Sequence, residues 1–377
     1  MNPRAITGIG VVSPLGTGRA AFLEGVRDGA RASVTDGRAD VPGFDPTKVL
    51  GDKGLRGLDR LTKLLIVAAR EALHDAGLKK DNAWSARGGD EVGIVVSNAY
   101  GSLEAITELD RVSILEDARY INPSRFPLTV ANSAAGYASI WEDIRAVNVS
   151  VSDGNCGGLD AAACADVLLA QRRARAILVA GAEPMSDALH LAFQRLGAVG
   201  ETAFLGEGAA VLALEPSELA RERSAQVLAE LIGYGTAFEA PPREASLLHP
   251  STDAMERAIA EALADAGVAP SDVDVVVSGI SGLRVFDEAE LVAIGRALGG
   301  ERGERCVLAP KLAMGETLGG GGTFGMLCAL AVLREAPRAP TTYAVRGALR
   351  TTPRTALVTS MGYYGNASAV VMRAAAR

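Results

Sequence analysis

Two neighbouring side chains, Asn155 and Cys156, occupy the position in this chain best suited to covalent chemistry. An apolar strand beginning at Val149 runs into a sharp turn, then a small-residue helix, then a second apolar strand that ends at Glu183. A side chain held at such a helix N-terminus feels the positive end of the helix dipole, which favours a thiolate. Cys156 there would be a nucleophile for acyl transfer; Asn155 there could only hydrogen-bond. Lys311 and Glu316 form a second candidate, five residues apart around Gly315. They read either as an acid–base pair or as an ion pair that holds a loop. The glycines at 319–322 lack the Gly-Lys-Ser/Thr ending and preceding strand of a phosphate-binding loop, so close backbone packing explains them better. The chain has three histidines, His74, His190 and His249, and none lies beside these residues in sequence.

The elements that must position these groups occur twice. Glu71-Ala-Leu-His-Asp-Ala-Gly-Leu78 returns as Glu261-Ala-Leu-Ala-Asp-Ala-Gly-Val268, each copy closing a helix at a glycine suited to the left-handed conformation. A buried strand follows each copy, near 92–97 and 273–278. A glycine-rich turn enters a helix later in each half, at 155–158 and 319–322, and an apolar strand follows, at 176–180 and 355–359. Continuous apolar strands alternating with helices imply parallel or mixed sheets covered on both faces. Two such halves, 1–225 and 226–377, would share one core and form a five-layer αβαβα body.

Composition narrows the function. Nearly half the residues are apolar and 22% are charged, as in soluble globular proteins. A net charge of -7 argues against nucleic acid or an anionic membrane as partner. Four cysteines without paired spacing exclude a zinc ribbon or disulfide framework, so no metal and no cofactor is expected. The first residues lack the apolar stretch of a signal peptide, and no segment reaches transmembrane length, so a cytoplasmic location is expected.

Several segments together resemble the β-ketoacyl synthase branch of the thiolase-like fold. They are Ile6-Thr-Gly-Ile-Gly-Val-Val-Ser-Pro-Leu-Gly16, Leu58-Asp-Arg-Leu-Thr62, Asn122-Pro-Ser-Arg-Phe-Pro127, Leu205-Gly-Glu-Gly-Ala209, and Lys311 with Gly315–Gly322, in family order. The resemblance implies a cysteine nucleophile and two histidines in active members. Counting back from Ala182-Glu183 puts Asn155 at the nucleophile position. Gly279 falls where the first histidine of a His-Gly-Thr loop would stand, and Glu316 where the second would follow the retained Lys311. The run Gly157-Gly-Leu-Asp160 is similar to that of chain length factors, non-catalytic relatives that carry an amide at the nucleophile position.

The resemblance therefore implies a chain without condensing chemistry that pairs with an active ketosynthase and lines its acyl tunnel, meeting acyl carrier protein through that complex. Leu103, Ile106, Arg125, Phe126 and Thr129 correspond to the stretch at the subunit interface and tunnel. Tyr363 stands at the gate position, with Tyr364 in place of a glycine. The rival expectation is an autonomous acyltransferase that uses Cys156 as a displaced nucleophile, with its thiol acidified by the helix dipole. Cys156 packing as a small buried residue is the plainer reading.

Overall fold

The structure, a computed structural model, describes residues 2–200, 202–243, 248–299, 305–335, 337–338, 343–349 and 351–375. Ten strands build its two halves: β1 (Arg4–Ser13), β2 (Val92–Ser97), β3 (Asn148–Val151), β4 (Ala176–Glu183), β5 (Gly208–Pro216), β6 (Ala229–Phe238), β7 (Val275–Val277), β8 (Cys306–Leu308), β9 (Thr355–Met361) and β10 (Asn366–Ala374). The helices that matter for the site are α1 (Arg60–Asp75), α2 (Leu103–Val112), α3 (Ser133–Glu142), α4 (Gly157–Ala170), α5 (Thr252–Ala266), α6 (Arg284–Leu298) and α7 (Gly321–Arg334).

The first five strands lie in the order β1-β5-β4-β2-β3 and the second five in the order β6-β10-β9-β7-β8. Adding five to each label converts one half into the other, so the duplication read from the sequence is a duplication of topology. The halves also touch edge to edge. Arg4, Ala5 and Ile6 of β1 pair antiparallel with Leu231, Glu230 and Ala229 of β6, which joins the strands into one 12-stranded sheet.

Side chains alternate across each strand and so sort into three cores. Ile177 and Val179 of β4, and Val275 and Val277 of β7, face a shared central cluster that also holds α4 and α7. Their neighbours Leu178 and Ala180 face α1 and α3 in an outer cluster, while Val276 faces α5 and α6 in another. Helices, sheet, central helices, sheet and helices make the five layers of a thiolase-like body.

Glycine spacing sets the layer distances. A Cβ on Gly8 or Gly10 of β1 would stand 2.3 Å from Ala76 N or 1.9 Å from Ala68 O, against the end and middle of α1. Gly233 and Gly235 of β6 meet Ala262 O and Ala258 O of α5 at 2.4 and 2.2 Å in the same way. The two helices are capped alike at their N-termini: the Asp59 carboxylate accepts from Thr62 N at 2.9 Å and the Ser251 hydroxyl from Ala254 N at 2.9 Å. Gly77 and Gly267, which follow the repeated motifs, both adopt left-handed φ, +65° and +62°. No helix among the described residues is long and apolar enough to cross a membrane.

Candidate functional site

The N-termini of α4 and α7 meet at the centre of the molecule, backbone against backbone. A Cβ on Gly158 would stand 2.6 Å from Thr323 N, and one on Gly322 2.7 Å from Leu159 N. Only two glycine-rich turns can approach this closely, which accounts for the glycines at 157–158 and 319–322. The contact brings the Asn155 turn of one half onto the Glu316 turn of the other.

Asn155 and Cys156 lie in a 3-10 turn, Gly154–Cys156, and are 3% and 0% exposed. Their side chains diverge. The Asn155 amide nitrogen faces the Glu316 carboxylate at 3.5 Å, the outer limit of a hydrogen bond. The Cys156 thiol instead donates to the Ser360 carbonyl of β9 at 3.2 Å, and the Ser360 hydroxyl donates to the Asn155 carbonyl at 2.7 Å. The amide, and not the thiol, shares space with Lys311 and Glu316.

Burial at Cys156 works against the acidification expected of a displaced nucleophile. Complete burial, with the Asp160 and Asp153 carboxylates nearby, pushes its pKa well above that of a free thiol. A thiol at such a position is expected to stay inert. Iodoacetamide at neutral pH should leave Cys156 unmodified in the folded chain over hours, while partly exposed Cys164 reacts first. Mass mapping that finds Cys156 alkylated ahead of Cys164 would restore the nucleophile reading.

Lys311 Nζ lies 2.9 Å from the Glu316 carboxylate, with both side chains at most 6% exposed. Glu316 also accepts from Leu318 N at 2.8 Å, and its backbone bonds to Phe204 and Gly206. The pair is thus an ion pair built into a turn. Gly279, the site of the missing first histidine, is stitched to α6: its N–H donates to Glu290 at 2.8 Å, and the N–H groups of Ser281 and Gly282 donate to Asp287 at 3.0 and 2.9 Å. Burial raises both carboxyls, Glu290 and Asp287, above their usual range, while Lys311 pulls both back. The cavity between Lys311, Gly279, Thr317 and Thr359 measures about 10 Å³, room for about one water molecule.

The tunnel and gate candidates divide into two groups. Leu103 and Tyr363 pack with Met185, Leu189, Phe193, Leu205 and Leu318 in one apolar cluster, and Tyr363 meets the Phe286 ring edge-on at 5.2 Å. Its hydroxyl is buried without a partner, as is the Asn155 side-chain amide oxygen. Ile106 is half-buried on α2. Arg125, Phe126 and Thr129 lie apart, on an outward excursion. There Arg125 pairs with Glu108 at 2.7 Å and Thr129 donates to the Phe126 carbonyl at 2.8 Å. Phe126 is 65% exposed, and Ile114, Leu115 and Tyr120 along the same excursion are more exposed still.

Histidines take no part at the centre. His74 bonds to the Asp81 carbonyl at 2.8 Å and His190 to the Asp36 carbonyl at 2.7 Å, while His249 lies in a loop pairing with Tyr364. One central carboxylate escaped sequence reasoning. Glu183, 1% exposed at the end of β4, accepts from the backbone N–H groups of Ala99, Tyr100 and Gly319 at 2.7, 3.1 and 3.2 Å. Burial, helped by the nearby Glu316 charge, pushes its pKa up to about 7 against those three donors. The available signal was a carboxylate closing an otherwise apolar strand.

Comparison with known proteins agrees with this architecture. The family profile described as the β-ketoacyl synthase N-terminal domain matches residues 1–220, and that of the C-terminal domain matches residues 228–344. A putative polyketide β-ketoacyl synthase 2 of Streptomyces halstedii is 31% identical over 98% of this chain and 96% of its own length. A 3-oxoacyl-(acyl-carrier-protein) synthase 2 of Coxiella burnetii is 28% identical, covering 89% of this chain and 87% of the relative. Among solved structures, the ishigamide ketosynthase/chain length factor superposes over the whole of both chains with a TM-score of 0.86 at 22% identity. A type II polyketide ketosynthase in complex with its acyl carrier protein does so at 0.81 and 23%. With both halves matched in order by domain profiles, and a relative above 30% identity along nearly its full length, the chain belongs to the β-ketoacyl synthase family.

Proposed function

We propose that this chain is the chain-length-factor-like partner of an active β-ketoacyl synthase, without condensing activity of its own. The observation that carries the reading is the divergence at residues 155 and 156. The side chain facing Lys311 and Glu316 is an amide, which cannot form a thioester, and the adjacent thiol is buried, bonded away and hard to ionise. Gly279 and Glu316 supply neither of the imidazoles that would hold an extender thioester and its enolate. The names of its relatives, a polyketide synthase 2 and a ketosynthase/chain length factor, fit the same role.

The apolar excursion bearing Ile114, Leu115, Tyr120 and Phe126 is the surface assigned to the active subunit, since patches of this kind mark protein interfaces. Acyl carrier protein would meet the pair rather than this chain alone. The two halves, divided near residue 225, would act as one rigid scaffold in the cytoplasm, with no cofactor.

In this role the chain sets product length by the bulk it presents to the partner's tunnel. Phe126→Ala in the co-expressed complex is expected to lengthen the products by roughly one or two two-carbon units, the space an aromatic ring vacates. Mass spectrometry of the released chains reads the result. An unchanged distribution from an intact one-to-one complex would remove Phe126 from the tunnel wall.

A further inference from the structure

Gly319 lies against the loop that ends β2, so closely that a Cβ on it would stand 2.4 Å from the Asn98 Cα. Its N–H is held by Glu183 and its carbonyl by the Ser97 hydroxyl at 2.7 Å. The same Glu183 carboxylate holds the next two amides of that loop, Ala99 and Tyr100. Between them, fully buried Asn98 sends its side-chain amide the other way, to the Ala131 carbonyl at 2.9 Å. Ala131 closes the excursion that carries Arg125, Phe126 and Thr129. A continuous path of hydrogen bonds therefore runs from the glycine turn of the second half, through one carboxylate, to the outward segment of the first.

We infer that Glu183 is a positioning residue that fixes the 122–131 segment, and with it the surface offered to a second subunit, by clamping the 97–100 loop onto Gly319. The role of that segment in docking belongs to the function proposed above; its attachment to Glu183 does not depend on it. The clamp makes geometric sense of an otherwise costly group. A carboxylate withdrawn from water survives only where several donors meet it, and this one has three N–H groups from two separate loops. The charged and titratable groups around it are Glu316, the Lys311 bound to Glu316, and the Tyr100 phenol.

Hydrogen exchange of the full chain tests the inference. Glu183→Gln keeps the shape but turns an NH2 toward at least one of the three donors. Protection at Ala99, Tyr100 and Gly319 is then expected to fall about tenfold, one charged-acceptor hydrogen bond's worth. The effect should spread to two amides bonded to the segment's carbonyls, Arg125 within it and Ser133 at the start of α3, which donate to Asn122 and Val130. Asn98→Ala should loosen Arg125 and Ser133 while leaving the three clamped amides protected.

The pH profile separates a clamp from mere packing. Glu183 holds its proton up to about pH 7 when closed, but only to its ordinary value of 4.5 when the loop opens into water. Opening therefore becomes easier as pH rises through that window. After correction for intrinsic exchange, protection at the three amides should fall between about pH 5 and 8 in the wild type and stay flat in Glu183→Gln. A flat wild-type profile, or protection of Arg125 and Ser133 unmoved by either substitution, would overturn the inference.

Discussion

Lys311→Met is expected to lower the free energy of unfolding by about 3–5 kcal/mol, because it leaves the buried Glu316 carboxylate without its counter-charge. Both members of the pair are nearly inaccessible, and the methionine stem fills the space of the lysine stem, so packing is kept. Replacing both partners, Lys311→Met with Glu316→Leu, removes the charge and its counter-charge together and should restore most of the loss. Chemical denaturation of the two variants and the parent decides the matter. A Lys311→Met chain as stable as the parent would mean that the lysine is held for chemistry rather than for the loop.

Gly158→Val should be at least as damaging, for a different reason. Even the first carbon of a side chain would stand 2.6 Å from the Thr323 nitrogen and 3.0 Å from the Gly322 Cα, both of them backbone atoms in α7. The central helices must separate to admit it, and overpacking of a rigid core costs about 1–3 kcal/mol even for smaller intrusions. Loss of soluble protein, or a fall in melting temperature of roughly 10 °C or more, is the expected outcome. Gly136 on α3 is the matched control. Nothing lies within 4 Å of its missing side chain, so Gly136→Ala should raise stability slightly, by about 0.5–1 kcal/mol. Equal effects at the two positions would mean that α4 and α7 do not pack backbone to backbone.

The repeated Glu-Ala-Leu-x-Asp-Ala-Gly motif and the paired glycine turns made the duplicated architecture readable, because both encode local geometry: a helix end and a tight entry turn. The register that places Asn155 against Glu316 was readable for the same reason, being a count along one strand. Three strands were harder. β5, β6 and β10 interrupt their branched residues with alanine or glycine, as in Ala-Glu-Leu-Ile-Gly-Tyr-Gly-Thr-Ala-Phe238, which breaks up the continuous run that announces a strand. Their alanines and glycines are there to let helices approach, a tertiary demand that no local pattern records. Glu183, Asp287 and Glu290 stayed hidden because they meet backbone amides, those of Ala99, Tyr100 and Gly319 for the first and those of the 279–282 loop for the others, and an N–H leaves no trace in a residue type. The raised thiol of Cys156 belongs to the same class: its neighbours along the chain suggest a helix dipole, while burial and the aspartates decide its acidity.

The seam between the sheets has a consequence for how the chain comes to be. Strand β1 leaves the ribosome about 200 residues ahead of its main ladder neighbours, β5 and β6. At ordinary translation speed it waits roughly 10–40 s, an apolar ribbon paired only at its end, through Val12 and Ser13, with Gly16 and Thr17. Until its mates emerge, that ribbon has little of its own chain to cover its edges, which makes the early chain the stretch most exposed to aggregation.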